Sequence, residues 1–325
     1  MVFSYSRDID TSLYRFLISF LAVVCSLFYN LFDFIEITFF NKDVNLKEFY
    51  DGKTVFITGA TSGIGKSLVL KLSQQCKTAN IILGGRNTKA LEYVTKQCGK
   101  EGLKGYALPV TIDLDDEASI LKAVKRVHSM GLCIDILINC AGISSRSSAV
   151  DTSMETLNSI MRTNFSGAVL LTNLFLPSML ERNSGNIAII SSVQGKLGLP
   201  YRTAYSASKH AVQGYFSSLR SELLADDVMV TIISPGYVKT NLSLNALNGD
   251  GSSYGKMDKN TLEGMKPEVC ALESLKAIAR GDADVDLCDM KSWVACKFSR
   301  VMPRIFEKLM ISRATKQKEE IDKND

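Results

Sequence analysis

Residues 54–75 read TVFITGATSGIGKSLVLKLSQQ, and the rest of the chain is organised around this stretch. Thr54–Thr58 is a short run of β-branched and aromatic residues, the composition of a strand. From Gly63 to Gln75 the apolar residues return at helical spacing. The turn between them is Thr58-Gly59-Ala60-Thr61-Ser62-Gly63-Ile64-Gly65. Glycines there permit a tight reversal and let phosphate oxygens approach the N–H groups at the helix start. The spacing is G-x-x-x-G-x-G, not the G-x-G-x-x-G of the common dinucleotide fold. A rival reading takes Ala60 to Ser67 as A-x-x-x-x-G-K-S, a phosphate loop with Ala for its first Gly. That would make the chain an NTPase with Lys66 on the phosphates. No strand ends in a convincing magnesium-binding acid, however, and the remaining glycines suit a dinucleotide better.

Outward from this unit, short apolar runs alternate with amphipathic segments. Strands are expected at 54–58, 79–83, 105–110, 134–139, 186–190 and 228–234, and helices at 63–75, 88–97, 115–130, 154–182 and 205–225. Continuous hydrophobic strands joined by helices predict an α/β chain, a parallel sheet with helices on both faces. Ligands of such sheets bind outside the carboxyl ends of the strands.

The residues of chemical interest lie at those ends. The second strand runs into Leu83-Gly84-Gly85-Arg86-Asn87. A free ribose 2′-OH usually meets a carboxylate there and a 2′-phosphate meets Arg, so Arg86 favours NADP(H) over NAD(H). The third delivers Asp113 with Leu114, suited to the adenine amino group. The fourth ends Asn139-Cys140-Ala141-Gly142, where small residues let the strand lie against a cofactor. The fifth ends at Ser191-Ser192, before a loop and a helix carrying Tyr205 and Lys209. Four residues apart, these two share a helix face. A phenol with pKa near 10 is a poor proton donor or acceptor at neutral pH, and a nearby ammonium brings it towards the working range. Ser192 would then hold the substrate oxygen. Alone, Y-x-x-x-K is a weak signal, expected by chance roughly once in two chains of this length. The plain alternative is a buried Tyr beside a solvated Lys.

The 325 residues are 46% hydrophobic and 22% charged, a globular composition with ample core. A net charge of +4 is too small to suggest nucleic acid. Eight cysteines without C-x-x-C pairs and two histidines offer no metal-site spacing and read as reduced thiols. Residues 16–32 hold no charge, the lower limit for a spanning helix, so 1–41 is expected to be an uncleaved single-pass membrane anchor. The domain is expected to occupy 42–288. Within it, 241–266 is rich in Asn, Gly, Ser and Asp, as in a lid or a loop. Between Lys291 and Lys318 stand eight Lys or Arg and one acid among apolar residues. This amphipathic tail, 289–325, would lie on an anionic bilayer or pack on its own domain.

Taken together, these residues resemble the short-chain dehydrogenase/reductase family. The match is TGATSGIG at 58–65, Asp113, NCAG at 139–142 (NNAG is commoner), Asn164, Ser192, Tyr205, Lys209, and Ser234-Pro235-Gly236 followed by Thr240. The resemblance implies a doubly wound Rossmann-type parallel sheet, one nicotinamide dinucleotide, no metal and a homodimer built on helices 154–182 and 205–225. It implies that Tyr205 transfers a proton, that Ser192 orients the substrate oxygen, and that Lys209 lowers the Tyr205 pKa and holds the nicotinamide ribose. Asn164 would fix a relay water. The cofactor would rest on Gly59, Thr61, Ser62, Gly63, Ile64 and Gly65, then Arg86, Asp113 and Leu114. Further contacts would come from Asn139, Ala141, Gly142, Tyr205 and Lys209, and from Pro235, Gly236, Val238 and Thr240. The anchor, the 241–266 segment and the tail resemble a membrane-anchored subgroup of the endoplasmic reticulum and peroxisomes. Its members are associated with reduction of acyl- or alkyl-dihydroxyacetone phosphate in lipid metabolism. A non-catalytic dinucleotide sensor is disfavoured by the intact Ser/Tyr/Lys set.

Overall fold

The computed structural model describes residues 44–322 and, besides them, residues 20 and 24. In chain order the elements are α1 (Leu46–Tyr50), β1 (Thr54–Thr58), α2 (Gly63–Gln75), β2 (Asn80–Gly85), α3 (Thr88–Lys100), β3 (Ala107–Thr111), α4 (Glu117–Ser129) and β4 (Ile136–Asn139). Then come α5 (Met154–Met161), a π-helical turn (Arg162–Ser166), α6 (Gly167–Glu181), β5 (Gly185–Ile190), a 3₁₀ turn (Val193–Gly195), α7 (Thr203–Glu222) and β6 (Val228–Pro235). The chain closes with α8 (Lys259–Leu262), α9 (Pro267–Arg280), β7 (Asp284–Leu287), α10 (Met290–Val301) and α11 (Pro303–Asp322).

The seven strands form one parallel sheet in the order β3-β2-β1-β4-β5-β6-β7. Every residue of β1 and β4 is buried, because helices cover both faces of these central strands. On one face Phe56 packs edge-on against Phe175 of α6, with Phe216 of α7 in the same core. On the other, Leu68 and Leu72 of α2 pack with Ile81, Leu275 of α9 and Tyr50 of α1. The Tyr50 hydroxyl, fully buried, donates to the Leu275 carbonyl at 2.9 Å, which satisfies its one polar atom. Pro109 is tolerated inside β3 because that strand pairs on one side only.

Two elements differ from the sequence reading. The expected helix 154–182 is interrupted by the π turn at Arg162–Ser166, which carries Asn164 inward. A Cβ at Gly167 would lie 2.2 Å from the Leu114 carbonyl oxygen, so the backbones cross closely just where the helix widens. The seventh strand carries no apolar run. Its Asp284 and Asp286 are both paired with Lys196, at 2.9 and 2.5 Å, so a polar edge strand is held by a half-buried lysine.

Residues 241–266 are fastened to the domain. Leu247 bridges Ser145 and Ser253, Val238 bridges Met265, and the Arg146 amide donates to the Leu247 carbonyl at 2.8 Å. The C-terminal helices pack on the segment after β5, with Cys296, Phe306 and Met310 against Val193, Leu197 and Leu199. The expected single-pass anchor and its placement at the endoplasmic reticulum are corrected here. Among the described residues no helix is long and apolar enough to cross a membrane. The 16–32 stretch lies outside the described residues except for Phe20 and Val24.

Candidate active site

The strand order reverses between β1 and β4, so the connections leaving these neighbours diverge and open a crevice at their carboxyl ends. The glycine turn fills its floor. Gly59 has φ +69°, and a Cβ there would lie 2.9 Å from the Ala141 Cα. Thr58 Oγ1 accepts from the Cys140 and Ala141 amides at 3.0 and 3.1 Å, which ties the turn to the end of β4. A Cβ at Gly65 would sit 2.2 Å from the Gly59 carbonyl oxygen, so the first turn of α2 rests directly on the loop. Ser62, the N-cap, makes no side-chain capping bond. The first N–H groups of α2 therefore remain available to an anion, beside a loop without side-chain bulk. These residues fit a pyrophosphate.

The crevice measures about 310 Å³. Of the residues expected at a cofactor, Gly59, Ser62, Gly63, Ile64, Gly65, Arg86, Ala141, Gly142, Tyr205, Lys209, Pro235, Gly236, Val238 and Thr240 all line it, with Ser192. The remaining expected residues lie outside the lining. Thr61 packs its methyl towards Gly85. Asp113 accepts from the Asp115 amide at 3.1 Å, and Leu114 belongs to the core beside α6. Asn139 is buried and donates to Thr172 Oγ1 at 3.0 Å, while its Oδ1 has no partner. Lys66, which the phosphate-loop reading needs at the nucleotide, sits 5.5 Å over the Tyr93 ring and does not line the crevice.

At the far end stand Ser192, Tyr205 and Lys209. Ser192 leaves β5 and its Oγ accepts from the Gln194 amide at 3.1 Å. Tyr205, in the first turn of α7, is 5% exposed. Burial pushes its phenol above the ordinary value, and the hydrogen bond to Ser192 and the charges of Arg146 and Arg202 oppose that shift. Lys209 is 4% exposed, and burial pulls it down to about 8, with the Cys140 thiol acting the other way. Its Nζ lies 5.9 Å from the centre of the Tyr205 ring and donates to the Ile190 carbonyl at 2.9 Å. The charges of Arg146 and Arg202 thus bear on the Tyr205 phenol in addition to the lysine that the i, i+4 spacing brings near it. Asn164 is held on three sides: its Oδ1 accepts from Ile143 N at 2.8 Å, and its Nδ2 donates to Ile143 O and Ser208 Oγ, both at 2.9 Å. A Cβ on Gly142 would meet Asn164 Oδ1 at 3.2 Å and Lys209 Nζ at 3.6 Å, so these groups converge on one point of backbone.

Sequence reasoning missed Arg146, Arg202 and Tyr237. Arg146 and Tyr237 line the crevice, and Arg202 is the N-cap residue just before α7. The available signal was position: Arg146 follows Gly142 by four residues, and Arg202 precedes Tyr205 by three.

The cysteine thiols yield a prediction for stability. Burial holds Cys76, Cys140, Cys270 and Cys288 up at about 12 and Cys296 at about 11. Above about pH 9 the unfolded chain loses these protons before the folded one, so stability falls with rising pH. Each thiol contributes at most about 1.4 kcal/mol per pH unit. Lys209 acts oppositely between about pH 8 and its unfolded value, because the folded state releases that proton first. Five thiols outweigh the two lysines that burial pulls down, Lys209 and Lys53, so the urea midpoint at pH 10 should lie below that at pH 8. An unchanged midpoint would contradict this.

A profile of the short chain dehydrogenase family matches residues 53–249. The chain belongs to the short-chain dehydrogenase/reductase family and is an NAD(P)-dependent oxidoreductase. It is 41% identical to dehydrogenase/reductase SDR family member 7B of Rattus norvegicus over 276 residues, 84% of each chain. It is also 41% identical to SDR family protein 7-like of Drosophila melanogaster over 268 residues, 82% of this chain and 81% of that one. Among solved structures it resembles a Beutenbergia cavernae protein described as an NAD(P)-dependent gluconate 5-dehydrogenase, with NADP bound at low occupancy. That likeness has TM-score 0.65 and 27% identity, over 75% of this chain and 98% of the other.

Proposed function

We propose that this chain is an NADPH-dependent reductase of a lipophilic or lipid-linked ketone, with Tyr205 as the proton donor. Acyl- or alkyl-dihydroxyacetone phosphate is the leading candidate substrate, and steroid- or retinoid-like ketones follow. The reading rests on one observation: Ser192, Tyr205 and Lys209 face the same crevice as the glycine turn. The nicotinamide, when bound, supplies the hydride. Ser192 Oγ holds the substrate oxygen, and the Tyr205 hydroxyl gives it a proton. Lys209 braces the ribose side, and Asn164, fixed by Ile143 and Ser208, positions a water behind it. Cys140 in place of the commoner Asn changes one side chain beside the cofactor without touching the proton path. Ile143 and Leu242, which line the crevice, support an apolar substrate body.

Arg86 lines the crevice at the end of β2, where it would meet a 2′-phosphate. Arg86→Ala should raise KM for NADPH by at least tenfold and leave KM for NADH nearly unchanged. Equal kcat/KM with both cofactors, unaltered in the variant, would remove the NADPH preference. A homodimer through α6 and α7 is supported by the apolar outer side of α6. There Val169, Leu170 and Leu174 are only half-buried and Leu180 is exposed. The substrate proposal is tested by assaying the purified protein with NADPH against lipid ketones and dihydroxyacetone phosphate derivatives. Turnover confined to small polar ketones would overturn it.

A further inference from the structure

One carboxylate near the site serves two guanidinium groups. Asp258 Oδ2 accepts from Arg146 Nε at 3.0 Å and Nη2 at 2.5 Å, and from Arg202 Nη2 at 3.0 Å. Arg146 Nη1 is engaged elsewhere, by Ser144 Oγ and the Ser145 carbonyl, both at 2.7 Å. Arg202 Nε is buried with no partner. The side chains of Arg146, Asp258 and Arg202 are 10%, 15% and 5% exposed. Two cations against one anion leave a net positive charge in a nearly dry place. A clamp with a purely mechanical role needs one cation for its carboxylate. The second adds desolvation and repulsion: burial and then the Arg146 charge hold Arg202 below its ordinary value, with Tyr237 and Asp258 opposing them only in part.

The three residues come from separate parts of the chain. Arg146 follows β4 and lines the crevice, and Arg202 is the N-cap residue just before α7. Asp258 belongs to the segment between Thr240 and α9, fastened to the same β4 connection through Leu247. Other charged or titratable groups face Tyr205 from its surroundings. Lys209 is turned to the Ile190 carbonyl, the Cys140 thiol is kept protonated by burial, and the Tyr237 hydroxyl accepts from Arg313 at 2.9 Å. Of these, Lys209 also brings positive charge near the phenol, its Nζ lying 5.9 Å from the centre of the Tyr205 ring.

We propose that Arg146 and Arg202, bridged by Asp258, are positioning residues: they pin the 241–266 segment over the site and set the charge felt by the Tyr205 hydroxyl. Closure of that segment and readiness of the proton donor are then linked, because the same carboxylate does both. This rests on the reading of Tyr205 as proton donor.

The test is a titration of Tyr205 in the NADPH-saturated full chain by carbon-13 NMR of tyrosine labelled at Cζ, with the Tyr205 signal assigned through Tyr205→Phe. Asp258→Asn raises the cluster by one positive charge and should lower the Tyr205 midpoint by roughly half a pH unit or more. Arg202→Gln removes one and should raise it by a similar amount, while Arg202→Lys should leave it within about 0.2 pH unit of the parent. Asp258→Asn should also speed protease cleavage within 241–266 several-fold. Opposite shifts from the two charge changes support the proposal, since a general loosening of the site would move both variants alike. Midpoints that stay put, or move together, overturn it. If Arg202→Gln does not fold, Asp258→Asn decides alone, and an unmoved midpoint there is enough to reject the idea. The underlying reading fails separately, on full turnover by Tyr205→Phe.

Discussion

Tyr205→Phe is expected to lower turnover by about 10²- to 10⁴-fold while NADPH affinity stays within about threefold of the parent. The substitution removes one oxygen and keeps a ring that is almost wholly buried in the first turn of α7. Packing is therefore preserved, and the loss is confined to the proton transfer. Steady-state kinetics with NADPH would read the first effect, and quenching of intrinsic fluorescence by the nucleotide the second. Residual turnover near the parent's would mean that another group donates the proton. Because burial raises the phenol and the Arg146 and Arg202 charges counter it, the parent's alkaline limb reports both influences together.

Gly65→Ala should abolish cofactor binding in practice, raising the NADPH dissociation constant by at least 100-fold. The new methyl would stand 2.2 Å from the Gly59 carbonyl oxygen, 2.7 Å from its carbon and 3.2 Å from the Thr58 carbonyl oxygen. All three are backbone atoms, so no side chain can rotate away. Either α2 lifts off the turn or the turn opens, and in both cases the N–H groups at the helix start lose their aim. Overpacking of this kind costs about 1–3 kcal/mol of stability as well, visible in urea unfolding. Gly63→Ala is milder in contact, 3.1 Å from the Thr240 methyl, although φ +51° adds backbone strain. Retention of NADPH binding within a few-fold in Gly65→Ala would show that the cradle tolerates a side chain.

The parts of the fold that could be read from sequence share a physical character. β1 and α2 fall where the apolar run and the helical spacing place them, because burial on both faces leaves a continuous hydrophobic strand. The glycine turn, Ser192, Tyr205 and Lys209 were legible for a similar reason. Each pairs a local constraint with a strand end, and all meet in one crevice. The π turn at Arg162–Ser166 was not legible, since it answers a close crossing with Leu114 that no helical pattern records. β7 was hidden because its acids are stabilised by Lys196, 88 and 90 residues away in sequence, instead of by an apolar face.

The sequence by itself determined the first six strands, the glycine turn and the Ser192, Tyr205 and Lys209 set that lines its crevice, because these depend on spacing within strand–loop–helix units. Only the tertiary structure brings Arg146, Arg202 and Asp258 together beside the crevice. Asp258 stands 112 residues from Arg146 and 56 from Arg202, and nothing local in any of the three stretches announces the others. Charge acts through space at the distances that packing sets, and those distances exist only once the chain has folded.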